Sequence, residues 1–186
     1  VRIFIGIKFD DSTCRQIERF LKPFKEISSP VRWAKPGNVH LTLKFIGEVT
    51  AEQYARIDDA LSAVQPDVPP LTLEIAGCGK FGRGSELNIF WLGIEKNPGL
   101  EKLFQTIEET LANIGISREE RGFSPHITVG RNKQRFNFKP LLDLIDERAQ
   151  APVAEFYATS FQVYKSDLQP GGPVYTRLKE IVLGNS

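Results

Sequence analysis

The hexapeptide His40-Leu-Thr-Leu-Lys-Phe45 ("HLTLKF") decides how this chain is read. A second stretch, "HITVGR" (residues 126–131), repeats its opening pattern of histidine, apolar, threonine, apolar. The chain has only two histidines, and each one opens this pattern. Along a strand, side chains point alternately to opposite faces. His40, Thr42 and Lys44 are therefore expected on one face, with Leu41, Leu43 and Phe45 on the other. His126 and Thr128 likewise share a face, with Ile127 and Val129 behind them. The apolar faces read as core, and the polar faces as the walls of a cleft. The second motif begins 86 residues after the first, a little under half of the 186-residue chain. That spacing suggests a faint internal duplication, two lobes each contributing one strand.

The flanking sequence fits this frame. "RIFIGIKF" (residues 2–9) alternates as a strand. In "DDSTCRQIERFLKPF" the residues Ile17, Phe20, Leu21 and Phe24 recur at helical spacing. A Pro-Gly-Asn turn precedes the strand of the first motif, which runs from about Val39 to Ile46. Thr50 and Gln53 form a capping-box pattern opening a second helix through about Val64, and the proline-rich "QPDVPP" breaks it. "LTLEIAG" and "LNIFWLGI" are strand-like and flank the glycine-rich turn "CGKFGRGSE". Asn97-Pro98 starts a third helix that Gly115 ends. After the second motif come a short helix, "PLLDLIDERA", and two late strands, "AEFYATSFQVYKS" and "VYTRLKEIVL", separated by "DLQPGGP". Mixed strands and helices, with hairpins as well as crossovers, predict an α+β fold with antiparallel sheet. The length suits one domain spanning residues 1–186.

Composition narrows the class of function without choosing one. Hydrophobic residues make up 41% and charged residues 25%, with a formal net charge of +1. No apolar run approaches a membrane span and no signal-peptide pattern opens the chain. Cys14 and Cys78 stand far apart without metal or redox spacing and read as reduced thiols of a cytoplasmic protein. Near-neutral charge and the lack of a patterned hydrophobic stripe predict a monomer. Nothing global demands nucleic acid, so any such binding must come from local patches.

Two histidines and two threonines suit acid–base chemistry at phosphorus. Imidazole titrates near neutral pH, so one ring accepts a proton while the other donates one. Threonine hydroxyls hydrogen-bond non-bridging phosphate oxygens. Catalytic zinc wants three protein ligands, and the sequence offers no third histidine and no spaced cysteine pair. A serine nucleophile motif is missing. No covalent nucleophile, metal or cofactor is required.

These residues resemble the two-histidine phosphoesterase superfamily, and within it the RNA 2′,3′-cyclic phosphodiesterase, or 2′-5′ RNA ligase, family. "RIFIGI", "VRWAKPGNVHLTLKFIGEV", "FSPHITVGR" and "LQPGGPVYTRL" carry the resemblance over nearly the whole chain; Gly37 and Val39 depart from the expected pattern. The resemblance implies a bilobal fold, with two antiparallel sheets facing a central groove and helices outside. It implies hydrolysis of a 2′,3′-cyclic phosphate at an RNA end to a 2′-phosphomonoester, and a weaker, reversible 2′-5′ joining of tRNA halves. Carried over by motif, His40 and His126 are the catalytic pair, with His40 as acid and His126 as base. Thr42 and Thr128 bind the phosphate.

Further residues stand beside plainer readings. Lys44 shares the histidine face by strand parity and is expected to meet phosphate or RNA backbone. Arg131 is expected to contact substrate if a bulge allowed by Gly130 re-aims it. In "RNKQRFNFK" the charge reads in part as RNA contact and Phe136 and Phe138 as core. Trp33 and Trp91 read as core, and Phe123 and Pro125 as supports for the second motif. Three other functions compete with hydrolysis of RNA ends: a phosphodiesterase for other cyclic or 2′,5′-linked nucleotides, a module that binds phosphorylated RNA or a nucleotide without turnover, and a metal-dependent hydrolase that would lose activity to a chelator.

Overall fold

In the amino-terminal stretch, alternation becomes strand β1 (Arg2–Lys8), which buries Ile3, Ile5 and Ile7 completely. The computed structural model describes residues 1–64 and 68–184. The order continues with α1 (Asp11–Glu26), β2 (Arg32–Trp33), β3 (His40–Glu48), α2 (Ala51–Ala63), β4 (Leu71–Phe81), β5 (Ile89–Ile94) and α3 (Pro98–Asn113). It closes with β6 (His126–Arg131), α4 (Lys139–Glu147), β7 (Pro152–Ala158), β8 (Ser160–Gln169) and β9 (Gly172–Val182). The helices begin where the local chemistry says they should. The Asp10 carboxylate accepts from the Thr13 N–H at 2.7 Å, and Thr50 and Gln53 satisfy each other's backbone donors in a capping box. Asn97 caps α3, Pro98 opens it, and Gly115 follows it with φ +87°. The proline-rich break expected after α2 falls partly on residues 65–67, outside the described residues.

The strands form two antiparallel sheets. The first has the order β3-β1-β8-β9 and the second β2-β6-β5-β4-β7. One hydrophobic core runs behind both and includes Ile5, Leu41 and Val163 of the first sheet and Leu73, Phe90 and Ile127 of the second. The amphipathic helices add their apolar faces to it, Phe24 of α1 meeting Phe90 edge-on at 5.0 Å. The late stretch "AEFYATSFQVYKS" is not one strand, as its alternation predicts. It breaks at Thr159, so that β7 completes the second sheet and β8 enters the first. A continuous pattern of apolar residues cannot distinguish one long strand from two that change sheets.

Both cysteines are free, and burial pushes the Cys78 thiol up to about 12. Among the described residues no helix is long and apolar enough to cross a membrane.

Candidate active site between the two sheets

Each sheet brings one histidine motif to the groove, β3 at the edge of the first and β6 in the second, where the two strands approach one another. The local wiring of the two rings is the same. His40 Nδ1 lies 2.7 Å from the Asn38 carbonyl oxygen, and His126 Nδ1 lies 2.9 Å from the Ser124 carbonyl oxygen. A carbonyl can only accept, so Nδ1 carries the proton in both rings and Nε2 is the nitrogen left to exchange one. His40 Nε2 stands 3.1 Å from Thr42 Oγ1. An aromatic edge braces each ring, Tyr175 against His40 at 5.2 Å and 89°, and Phe81 against His126 at 5.1 Å and 88°. Phe4 adds a second ring beside His40 at 4.7 Å.

The carbonyl that orients His40 is itself held. Asn38 ends a single 3-10 turn, Pro36–Asn38, and its side-chain amide donates to the Pro173 carbonyl at 2.8 Å. The "LQPGGPVYTRL" segment thus reaches the site twice, through Pro173 and through Tyr175.

Neither motif strand alternates to its end. Opposite Thr42 on β1 stands Gly6, and the next pair is Ile5 with Lys44, so Leu43 is an extra residue. On β6, Thr128 faces Trp91 and the next pair is Gly130 with Phe90, so Val129 is extra. The bulge falls on the fourth residue of both motifs. It reverses the faces beyond it. Lys44 is consequently not on the histidine face. It is 6% exposed, its ammonium lies 2.7 Å from Glu108 of α3, and it donates to the Ser117 carbonyl at 2.8 Å. The expectation of a phosphate contact from Lys44 is therefore corrected: the lysine ties β3 to the segment leading into β6. The same reversal turns Arg131 toward the groove, where its positive charge acts on both His40 and Tyr175. The corresponding place on β3 belongs to Phe45, half exposed under the Arg2 guanidinium at 4.8 Å.

Burial of the His40 ring is the main force holding its pKa below the usual imidazole value, and Arg131 pushes the same way. The hydrogen bond to the Asn38 carbonyl opposes both. The surface differs around the two rings. Beside His126 lies a cavity of about 370 Å³ lined by Phe81, Trp91, Lys96, Glu101, Phe123 and Pro125, among others. Beside His40 the corresponding space is about 50 Å³, closed in by Phe4, Tyr164 and Tyr175. Trp91 and Phe123 thus line a cavity instead of only filling core or supporting a strand. Of the two phenylalanines in "RNKQRFNFK", Phe138 is buried as expected, but Phe136 is 48% exposed. Sequence reading missed Phe4, Phe81, Tyr164 and Tyr175. Phe4 and Tyr175 lie inside the "RIFIGI" and "LQPGGPVYTRL" segments, and Phe81 inside the glycine-rich turn read as a plain hairpin loop; Tyr164 carried no signal. Among the described residues, no three His, Cys, Asp or Glu side chains are grouped to hold a metal ion.

Known proteins resemble this chain in sequence and fold. A relative from Methanocaldococcus jannaschii named RNA 2′,3′-cyclic phosphodiesterase is 32% identical over 180 residues, covering 97% of this chain and 99% of its own. One of the same name from Thermotoga maritima is 31% identical, covering 97% and 94%. The apo structure of E. coli LigT superposes with a TM-score of 0.78 at 27% identity over 99% of this chain and 98% of its own, and its complex with 3′-AMP with 0.77 at 26% over the same shares. The model of the 2′-5′ RNA ligase superfamily matches residues 9–170. Fold, paired motifs and sequence agree: the chain belongs to the 2′-5′ RNA ligase superfamily.

Proposed function

We propose that this protein hydrolyses RNA 2′,3′-cyclic phosphate ends to 2′-phosphomonoesters by paired-histidine acid–base catalysis. Residues 1–186 act as one catalytic unit without a metal, as a cytoplasmic monomer. The observation that carries the reading is the matched wiring of His40 and His126, each with Nδ1 bonded to the carbonyl two residues upstream, which leaves Nε2 as the proton-exchanging nitrogen. The names of the relatives from Methanocaldococcus jannaschii and Thermotoga maritima support the substrate.

In this mechanism His126 Nε2 takes a proton from water as the water oxygen attacks phosphorus. The P–O3′ bond breaks, and His40 Nε2 gives its proton to the departing O3′. Burial and Arg131 favour the neutral His40 ring in the free enzyme, whereas the acid role requires the protonated ring. The negative charge of a bound phosphate opposes both and favours protonation. Thr42 and Thr128 donate hydrogen bonds to the non-bridging oxygens, and Arg131 stabilises the charge that builds there. When the 5′-hydroxyl of a second RNA replaces water, the same proton transfers give a 2′-5′ linkage, and the reverse reaction exchanges the roles of the two rings.

The test is incubation of the protein, with EDTA present, with an RNA oligonucleotide ending in a 2′,3′-cyclic phosphate. The product end is identified by chromatography, beside the His40→Ala/His126→Ala double variant. A 2′-phosphate from the wild type alone is expected. A 3′-phosphate, equal turnover by the variant, or activity abolished by EDTA would each overturn the mechanism.

A further inference from the structure

The cavity beside His126 is too large for the one water that hydrolysis uses there. A water claims roughly 30 Å³ of the liquid, against about 370 Å³ here. That volume is at the lower end of the range for small-molecule sites. Its walls are also wrong for a water channel. Trp91 sits on the groove face of β5 directly opposite Thr128, and its ring lies over Gly79 so closely that a Cβ there would stand 2.2 Å from it. Phe81 packs beside it at 5.8 Å, and Phe123 lines the same space. Polar residues at the margin, Lys96, Asn97 and Glu101, complete the lining.

We infer that this cavity is a subsite for the nucleoside whose 5′-hydroxyl attacks the cyclic phosphate in place of water. The inference rests on the proposed role of His126 as the base. Attack and departure at phosphorus lie roughly in line, so the ribose bearing the leaving O3′ occupies the His40 side and the entering oxygen the His126 side. A nucleoside there stacks its base on Trp91 and Phe81. Stacking of this kind tolerates every base. The 5′-hydroxyl proton passes to His126 Nε2, the O5′–P bond forms, the P–O3′ bond breaks, and His40 protonates O3′. The product is a 2′-5′ phosphodiester, and no oxidant or further reactant is needed.

The experiment supplies wild-type enzyme with an RNA ending in a 2′,3′-cyclic phosphate and increasing amounts of a 5′-hydroxyl RNA dinucleotide. Diester and 2′-phosphate are quantified together. The expected result is a ratio of diester to 2′-phosphate that saturates with the dinucleotide. Glycerol at the same hydroxyl concentration should give a ratio about tenfold lower or less. Trp91→Ala should lower the dinucleotide ratio by about tenfold, as loss of a stacking partner implies, and Trp91→Phe by less. Equal ratios for glycerol and dinucleotide overturn the inference, as does an unchanged ratio in Trp91→Ala. So does a raised KM for a cyclic mononucleotide in Trp91→Ala without a change of ratio, which assigns the cavity to the base of the cyclic nucleotide itself. If 2′-phosphate forms but diester never does, the acceptor subsite fails and the hydrolase stands. If neither forms, both fail.

Discussion

The two halves of the groove hold the same tetrapeptide pattern in unlike surroundings. On both sides Nδ1 is tied to a carbonyl, an aromatic edge braces the ring, and a bulge follows the threonine. The neighbours then diverge. Thr42 faces Gly6 and Thr128 faces Trp91; the residue after the bulge is Lys44 in one strand and Gly130 in the other. His40 sits in a closed corner and His126 beside an open cavity. What the halves share is what the proposed reaction requires, because the entering and leaving oxygens on phosphorus demand similar proton carriers. What differs would, under the proposed mechanism, match a ribose on one side and an incoming oxygen on the other.

The largest test of this comparison removes one ring at a time. His40→Ala and His126→Ala should each lower kcat by about 10²–10⁴-fold with the melting temperature nearly unchanged, since both rings face the groove. A variant that keeps wild-type turnover would show that only one half is chemical. Next, Lys44→Met should leave Glu108 buried without its counter-ion and destabilise the fold by about 3–5 kcal/mol, measured by urea titration. Lys44→Met/Glu108→Leu should recover much of that loss. A stable single variant with a raised KM would instead return Lys44 to the substrate.

Smaller effects sharpen the asymmetry. A Cβ at Gly6 would stand 2.7 Å from the Leu41 carbonyl oxygen and 3.4 Å from His40 Cδ2. Gly6→Ala should therefore displace the first motif, costing about 1–3 kcal/mol of stability as overpacking does, and lower kcat. Gly37→Ala, which meets nothing within 4 Å, should change neither. The smallest expected effect is on pH. Arg131 lowers the His40 pKa, so Arg131→Gln raises it, and the limb of the kcat/KM profile that reports His40 moves to higher pH. Movement of the alkaline limb identifies His40 as the acid; movement of the acidic limb identifies it as the base.

Much of this was legible in the chain. Both histidines and threonines announced themselves by repetition, and the helix starts by their caps. Arg131 was legible only through the family pattern, because alternation alone aims it the wrong way. Lys44 was misplaced for the same reason: no residue type marks Leu43 or Val129 as a bulge, since both are ordinary buried strand residues. The bulge is fixed by pairing with β1 and β5, which is long-range information. The aromatic residues escaped for a related cause. Phe81 and Trp91 belong to strands far from either motif in sequence, and an aromatic residue reads as core until the sheets place it at a groove.

The bulges also shape how the motifs tolerate change. Each one acts as a phase shift within a strand, so residues before it and after it are released from a common parity. Deleting Leu43 would restore simple alternation yet keep Lys44 opposite Ile5 on the buried face and Phe45 on the groove face, at the cost of one buried leucine. A change of pairing alone, with Leu43 set opposite Ile5 in place of Lys44, separates a scaffold lysine from a groove lysine. The faces beyond Thr42 are therefore set by which residue pairs with Ile5, and variation in the family's strands should be read by strand pairing before residue types are compared.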